Sequence, residues 1–250
     1  MASMDHNTAP LLNVQGVSKR FGGLTALESV DLTVNHGEIV GLIGPNGAGK
    51  TTLFSVVSGY YRPTAGKVRF RGDNITGLRP HKICNRGIAR TFQIPKPFLH
   101  LSVVENMLVG ASFGAGHANR QKAMESVLEI LHWSGLEDKA WMPADTLNLV
   151  QRKKLELARA LSTAPQLILL DEVIAGLNPT EVSEMASFIT TLRNRKITVL
   201  IIEHIMKVIM NVSERIIVLD QGRKICEGPP ALVANDARVV EAYLGVQGHA

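Results

Sequence analysis

The run Gly44, Pro45, Asn46, Gly47, Ala48, Gly49, Lys50, Thr51 limits what this 250-residue chain can fold into more than any other feature. It fits the spacing GxxxxGK[ST], in which glycines let a loop wrap phosphate oxygens with its own backbone N–H groups. Such a loop works between a buried strand and the first turn of a helix, whose free N–H groups and positive dipole end complete the anion site. Both flanks fit. Glu38 to Gly44 is a short apolar run, and helical periodicity follows from Lys50 to Gly59, with Thr52 in the opening turn. Lys50 is expected to set a point charge near the β and γ phosphates of a nucleotide, and Thr51 to offer its hydroxyl to Mg²⁺.

Gln166 to Asp171 and Ile197 to Ile202 repeat the continuous apolar pattern, which marks parallel strands covered on both faces and predicts an α/β sheet. Doubly wound sheets bind ligands at the carboxyl ends of their strands. Asp171 and Glu172 stand at such an end, where Asp171 can hold Mg²⁺ and Glu172 can polarise an attacking water. Asn178, Pro179 and Glu181 occupy N-cap, N1 and N3 positions of a helix predicted to reach Arg193.

Elsewhere the periodicity changes. Leu11 to Val17 and Val30 to Val34 alternate apolar and polar residues, with a break at Phe21-Gly22-Gly23, which predicts an antiparallel pair near the start. Residues 94–163 carry helical patterns without buried strands. Ser102 and Glu105 form a capping-box signature, and Ala123, Val127, Ile130 and Leu131 make one stripe that Gly135 ends. A helical subdomain inserted in the α/β core is expected there. Arg215 to Leu219 and Lys224 to Glu227 flank Asp220-Gln-Gly222 as a hairpin, and a last helix is expected from Ala237 to Leu244.

Composition excludes several classes. With 45% hydrophobic residues the chain can bury a sizeable core, so global disorder is ruled out. A net charge of +5 and 5% aromatics fall short of a nucleic-acid binder with stacking platforms, and no nucleic-acid partner is expected. Cys84 and Cys226 lack disulfide-scaffold or zinc spacing. MASMDHNTAP has no basic, apolar leader, so the mature chain is expected to start near Met1. Asp171, Glu172, Glu203, His204 and Lys207 interrupt the most apolar segments, leaving only a peripheral membrane role.

From these residues the chain resembles the ATP-binding subunit of ABC transporters, over nearly its whole length. Gly87-Ile-Ala-Arg-Thr-Phe-Gln93 looks like the family's Q-loop, Gln151 to Leu161 like the helix after its signature motif, and Ile201-Ile-Glu-His204 like its switch histidine. The resemblance implies a P-loop ABC ATPase domain over 8–250, with a nucleotide core at about 8–93 and 164–250 and a helical subdomain at about 94–163. It implies ATP and Mg²⁺ as ligands, with Gln93 and Asp171 joining Thr51 at the metal. Glu172 and His204 would then act with Lys50 in catalysis. Phe21, 29 residues before Lys50, lies about where the family has an aromatic that stacks on adenine.

A narrower similarity runs through Gly41 to Thr52, Glu172 to Glu181 and Asn235 to Gly245, which look like the branched-chain (hydrophobic) amino acid uptake branch. That branch works peripherally at the cytoplasmic face of the inner membrane. Its partners are two permease subunits, a second ATPase subunit and, indirectly, a periplasmic substrate-binding protein. Amides and urea are alternative cargoes there, and a soluble ABC ATPase without a permease is the alternative outside it. The apolar stretch Pro95 to Leu101, after Gln93, is expected to dock a permease coupling helix.

Two motifs depart from the family. Leu147-Asn-Leu-Val-Gln151 stands where the family has LSGGQ, so Leu149 and Val150 replace glycines that let the signature backbone approach the partner's nucleotide. With Asn148 they are expected to face that nucleotide and weaken the contact, Asn148 serving as a replacement donor. Ala175-Gly-Leu-Asn178 ends in Asn where the family usually has Asp.

Overall fold

A computed structural model describes residues 9–114 and 119–244. The expected chain start near Met1, both ends of the 8–250 domain and Gly245 lie outside the described residues. Strands β1 (Leu12–Phe21) and β2 (Leu24–Val34) form the expected antiparallel hairpin, turning at Gly22 and Gly23, where Gly22 has φ 57°. Strand β3 (Ile39–Ile43) leads through the glycine loop into α1 (Lys50–Val57). Next come β4 (Ala65–Phe70), β5 (Asp73–Asn74), α2 (Pro80–Cys84) and β6 (Ile88–Arg90), none of which the hydrophobic pattern announces.

The following stretch is helical as expected: α3 (Val103–Phe113), α4 (Arg120–Ser134) and α5 (Leu149–Leu161), with only an isolated bridge between Ser102 and Pro143 among the described residues. Ser102 and Glu105 complete the capping box, and Gly135 ends α4 with φ 69°. Then β7 (Leu167–Asp171), α6 (Pro179–Asn194), β8 (Thr198–Ile202), α7 (Met206–Val212), β9 (Arg215–Asp220), β10 (Arg223–Gly228), α8 (Pro230–Val233) and α9 (Ala237–Leu244) complete the described residues.

Two sheets result. One is antiparallel, in the order β2-β1-β4-β5; the other runs β10-β9-β3-β8-β7-β6, with every pair parallel except β10 on β9. Its central strands are apolar on both faces because both are covered. Val40, Leu42, Leu167, Leu169, Leu200 and Ile202 point into a core shared with α1 and the antiparallel sheet. Their neighbours Ile39, Ile43, Ile168, Leu170, Val199 and Ile201 point into a second core shared with the helices. Alternate residues of one strand thus serve opposite cores. The hairpin read at 215–227 is present, and it is also built into the central sheet, since β9 pairs in parallel with β3.

Candidate nucleotide site

Parallel register decides which side chains meet. Asp171 pairs with Ile202 across β7 and β8, and Arg90 pairs with Leu169 across β6 and β7, so the segments after β6, β7 and β8 leave the sheet side by side. Gly44 leaves the neighbouring β3 at the same carboxyl edge. Four chain segments far apart in sequence therefore converge on one rim.

The loop is built on glycines at positions nothing larger can take. Gly44 has φ 147°, and a Cβ there would lie 2.0 Å from the Leu219 carbonyl oxygen; Gly49 has φ 99°, with the Ala26 carbonyl oxygen 2.5 Å from such an atom. Lys50 Nζ folds across the loop and donates to the carbonyls of Gly44 at 2.7 Å and Pro45 at 2.9 Å. Burial lowers the Lys50 pKa, while the nearby Glu172 and Asp171 carboxylates favour its charged form. Asn46, Gly47 and Thr51 are exposed, Ala48 is buried, and Thr52 is half-buried in the first turn of α1.

Glu172 is the centre of the cluster. Its backbone takes φ 51°, rare for a residue with a Cβ, and its N–H donates to the Ile202 carbonyl at 3.0 Å. Its Oε2 accepts from Gln93 Nε2 at 2.6 Å, and its Oε1 lies 2.6 Å from His204 Nε2. Three predicted residues thus meet on one carboxylate. Asp171 turns elsewhere and pairs through Oδ2 with Arg90 Nη2 at 2.8 Å. Burial raises the Asp171 pKa, and Arg90 opposes that rise.

Phe21 stands apart from this cluster at the tip of the first hairpin. It is half-exposed, packs edge-on against Tyr61 with centroids 5.1 Å apart, and has Lys19 Nζ 4.8 Å from its centroid.

The altered signature requires a correction. Leu149 is exposed, but Val150 points into the core at 8% exposure, so of the two residues in glycine positions only Leu149 presents its side chain outward. The α-helical turn causes this, because α5 already begins at Leu149 and its second residue falls on the buried stripe. Asn148 caps that helix with its side-chain Oδ1, which accepts from Gln151 N at 3.0 Å. Asn178 caps α6 in the same way, accepting from Thr180 N and Glu181 N, each at 3.0 Å.

Pattern reading missed four residues. Arg90, within the quoted Q-loop segment, also donates to Ser55 Oγ and Ser58 Oγ. Lys153, which lies in the helix read as following the signature motif, is buried with Nζ 3.5 Å from the Glu172 carbonyl oxygen. Glu203 accepts from Ile174 N at 2.9 Å and is 2% exposed; a charge inside an apolar run was its only signal. Tyr243 accepts from Gly44 N at 2.8 Å, and nothing in the local sequence announces that contact.

Beside the site, Tyr60, Ile83, Phe92, Phe98, Phe113 and Arg159 help to line a largely apolar cleft of about 420 Å³. Phe98, from the stretch expected to dock a partner, is half-exposed on its wall, and Arg159 lies over its ring at 5.6 Å. Among the described residues no helix is long and apolar enough to cross a membrane.

Comparison with known proteins gives this geometry a lineage. Residues 27–175 match the ABC transporter family model, and residues 223–249 match the model for branched-chain amino acid ATP-binding cassette transporters. The high-affinity branched-chain amino acid transport ATP-binding protein BraF of Pseudomonas aeruginosa is 41% identical, covering 94% of this chain and 98% of its own length. LivG of Escherichia coli, of the same description, is 40% identical with the same coverage. A crystal structure of an ABC transporter's ATP-binding cassette in its ADP conformation superposes with a TM-score of 0.87 at 33% identity, covering 95% of this chain and 100% of that one. A dimeric cassette in a post-hydrolysis state, bound to ADP and phosphate, matches at 25% identity with a TM-score of 0.76 over 88% of this chain and 98% of that one. The loop between a buried strand and a helix, the strand-end carboxylates and these likenesses place the chain in the family of ABC transporter ATP-binding subunits, which bind and hydrolyse ATP to drive transport.

Proposed function

We propose that this subunit powers uptake of branched-chain or related small hydrophobic amino acids, with Glu172 as the group that activates the attacking water. The observation that carries the catalytic reading is the approach of Gln93 and His204 to Glu172 at 2.6 Å each. These two partners hold the carboxylate in position as an acceptor for a water proton. Each oxygen meets one partner and keeps a second lone pair for water. Gln93 follows the strand beside the apolar cleft, which makes it the partner a docked membrane subunit would move.

ATP would lie with its phosphates against the N–H groups of residues 47–52 and the start of α1. Lys50 would exchange its two loop carbonyls for the β and γ phosphates. Phe21 is proposed to stack on adenine, its partial exposure leaving ring surface for that contact. Among the described residues no three His, Cys, Asp or Glu side chains form a metal cage. A metal completed by phosphates and water fits better, held by Asp171, the Thr51 hydroxyl and the Gln93 amide oxygen, and Mg²⁺ is the ion this oxygen set suits. When bound, such an ion neutralises charge on the phosphates. Asp171 is suited to it because its buried carboxylate already requires a countercharge, here supplied by Arg90.

The cargo class rests on the names of the relatives and on the matched segment 223–249. The proposed partners are a second ATPase subunit, two permeases seated at the apolar clefts and, through them, a periplasmic binding protein. The chain would then work at the cytoplasmic face of the inner membrane.

Lys50→Ala is expected to abolish tight Mg-ATP binding, whereas Glu172→Gln keeps binding and lowers turnover about a hundredfold or more. Nucleotide titration and phosphate release in the assembled transporter measure both. Wild-type turnover in Glu172→Gln would remove Glu172 from the mechanism. Uptake of labelled leucine, acetamide and urea by proteoliposomes carrying the co-purified permeases tests the cargo, and leucine transport no faster than the others would overturn that assignment.

A further inference from the structure

The Gly44 peptide is held on both sides. Its carbonyl accepts from Lys50 Nζ at 2.7 Å, and its N–H donates to the Tyr243 hydroxyl at 2.8 Å, across 199 residues of sequence. Gly44 is buried and cannot shift freely, since it packs against Leu219 at the end of β9. Without the hydroxyl its N–H would lose that acceptor, and an unmet buried donor is costly enough to displace the loop that carries it.

Tyr243 lies on α9, which has a second anchor one helical turn away: Val239 is buried at 5% exposure and belongs to the core that backs the central sheet. Residues 239 and 243 are four apart, so both point to one side of the helix. Across an apolar groove of about 510 Å³, lined by Met206, Met210, Val240 and Tyr243, α9 faces α7, which begins two residues after His204. The C-terminal helix therefore borders both the phosphate loop and the helix that follows the proposed switch histidine.

We propose that Tyr243 is a positioning residue of the nucleotide site: its hydroxyl fixes the Gly44 peptide, and with it the resting position of Lys50, so that docking of α9 and binding of phosphate are energetically coupled. This rests on residues 44–51 being the phosphate loop. Coupling is reciprocal, so nucleotide tightens α9 by the factor that docked α9 tightens nucleotide.

The test uses the full chain. Tyr243→Phe keeps the ring and removes only the hydroxyl, and its ATP and ADP affinities, read by titration calorimetry, are expected to fall about five- to tenfold. Hydrogen exchange supplies the readout that a purely structural role would not move. In the wild type, saturating ADP is expected to slow exchange of the amides of residues 237–244, while adenosine, which lacks phosphates, does not. In Tyr243→Phe the ADP effect should vanish. Val239→Ala, which loosens α9 and leaves the hydroxyl in place, should weaken ADP binding to a smaller extent. Unchanged affinity in Tyr243→Phe, or α9 exchange indifferent to ADP in the wild type, would overturn the coupling. Lys50→Ala separates the two readings: if it binds ATP as the wild type does, the phosphate loop is misassigned, and if it loses binding while Tyr243→Phe does not, only the coupling fails.

Discussion

Glu203 is the residue where burial and charge conflict most. It is almost fully enclosed beside His204, and loss of solvation pushes its pKa up to about 7, against the Ile174 N–H and Lys153, which favour the carboxylate; the charge of Glu172 adds to the rise. Unfolded, the group would titrate near 4.5. Between these values the folded state binds more protons than the unfolded one, so stability falls as pH rises from about 4.5 through about 7. The full loss is roughly 3 kcal/mol, and it persists above that window. Glu203→Gln keeps an acceptor for Ile174 and does not titrate, so its denaturation midpoint should change less than that of the wild type between pH 5 and 8. Parallel midpoint curves for the two proteins would show that Glu203 is ionised throughout.

At the scale of elements, caps and loops set where the site residues emerge. The turn after Glu172 must deliver α6 at a fixed angle, and Asn178 does so by accepting from two free N–H groups while Glu181 Oε2 accepts from the Asn178 N–H at 3.0 Å. Asp would cap equally well, so the cap accounts for a short side chain with an acceptor here and not for Asn in place of Asp. Asn178→Ala is expected to cost about 1 kcal/mol, and Asn178→Asp only a few tenths, in equilibrium unfolding. Equal losses for both would mean that the amide nitrogen makes a contact the cap does not explain. The start of α5 follows the same rule, and it turns Val150 inward and leaves Leu149 outward.

At the scale of the whole molecule, the exposed Leu149 has a consequence for assembly. If the subunit pairs with a different ATPase, its own loop faces the partner's signature, while Asn148 and Leu149 face the partner's nucleotide. A side chain where backbone must approach closely weakens donors set against the developing charge, which can slow that site about a hundredfold or more. Hydrolysis is then expected to run mainly at Lys50 and Glu172 of this chain. Replacing the catalytic glutamate in one subunit at a time of the assembled transporter measures the share of each site. Equal losses, or a fully active homodimer of this chain, would defeat the unequal scheme.

What the sequence determined by itself is local. The phosphate loop, the apolar strands, the capping boxes at Ser102 and Asn178 and the stop at Gly135 depend on neighbours within a few residues, and the order of the motifs marked Gln93, Asp171, Glu172 and His204 as one set. The short edge strand β6 was hidden because three residues cannot show a period, and β4 because its first half is exposed. Tertiary structure alone decided that β6, β7 and β8 lie side by side in parallel register, which brings Gln93 and His204 to Glu172 and Arg90 to Asp171. It also decided that Lys153 and Glu203 are buried and that Tyr243 reaches Gly44. These contacts join residues up to 199 positions apart. No local pattern encodes such pairs, because a side chain's partner and its dielectric surroundings are set by which strands and helices pack together, and that is fixed only when both cores close.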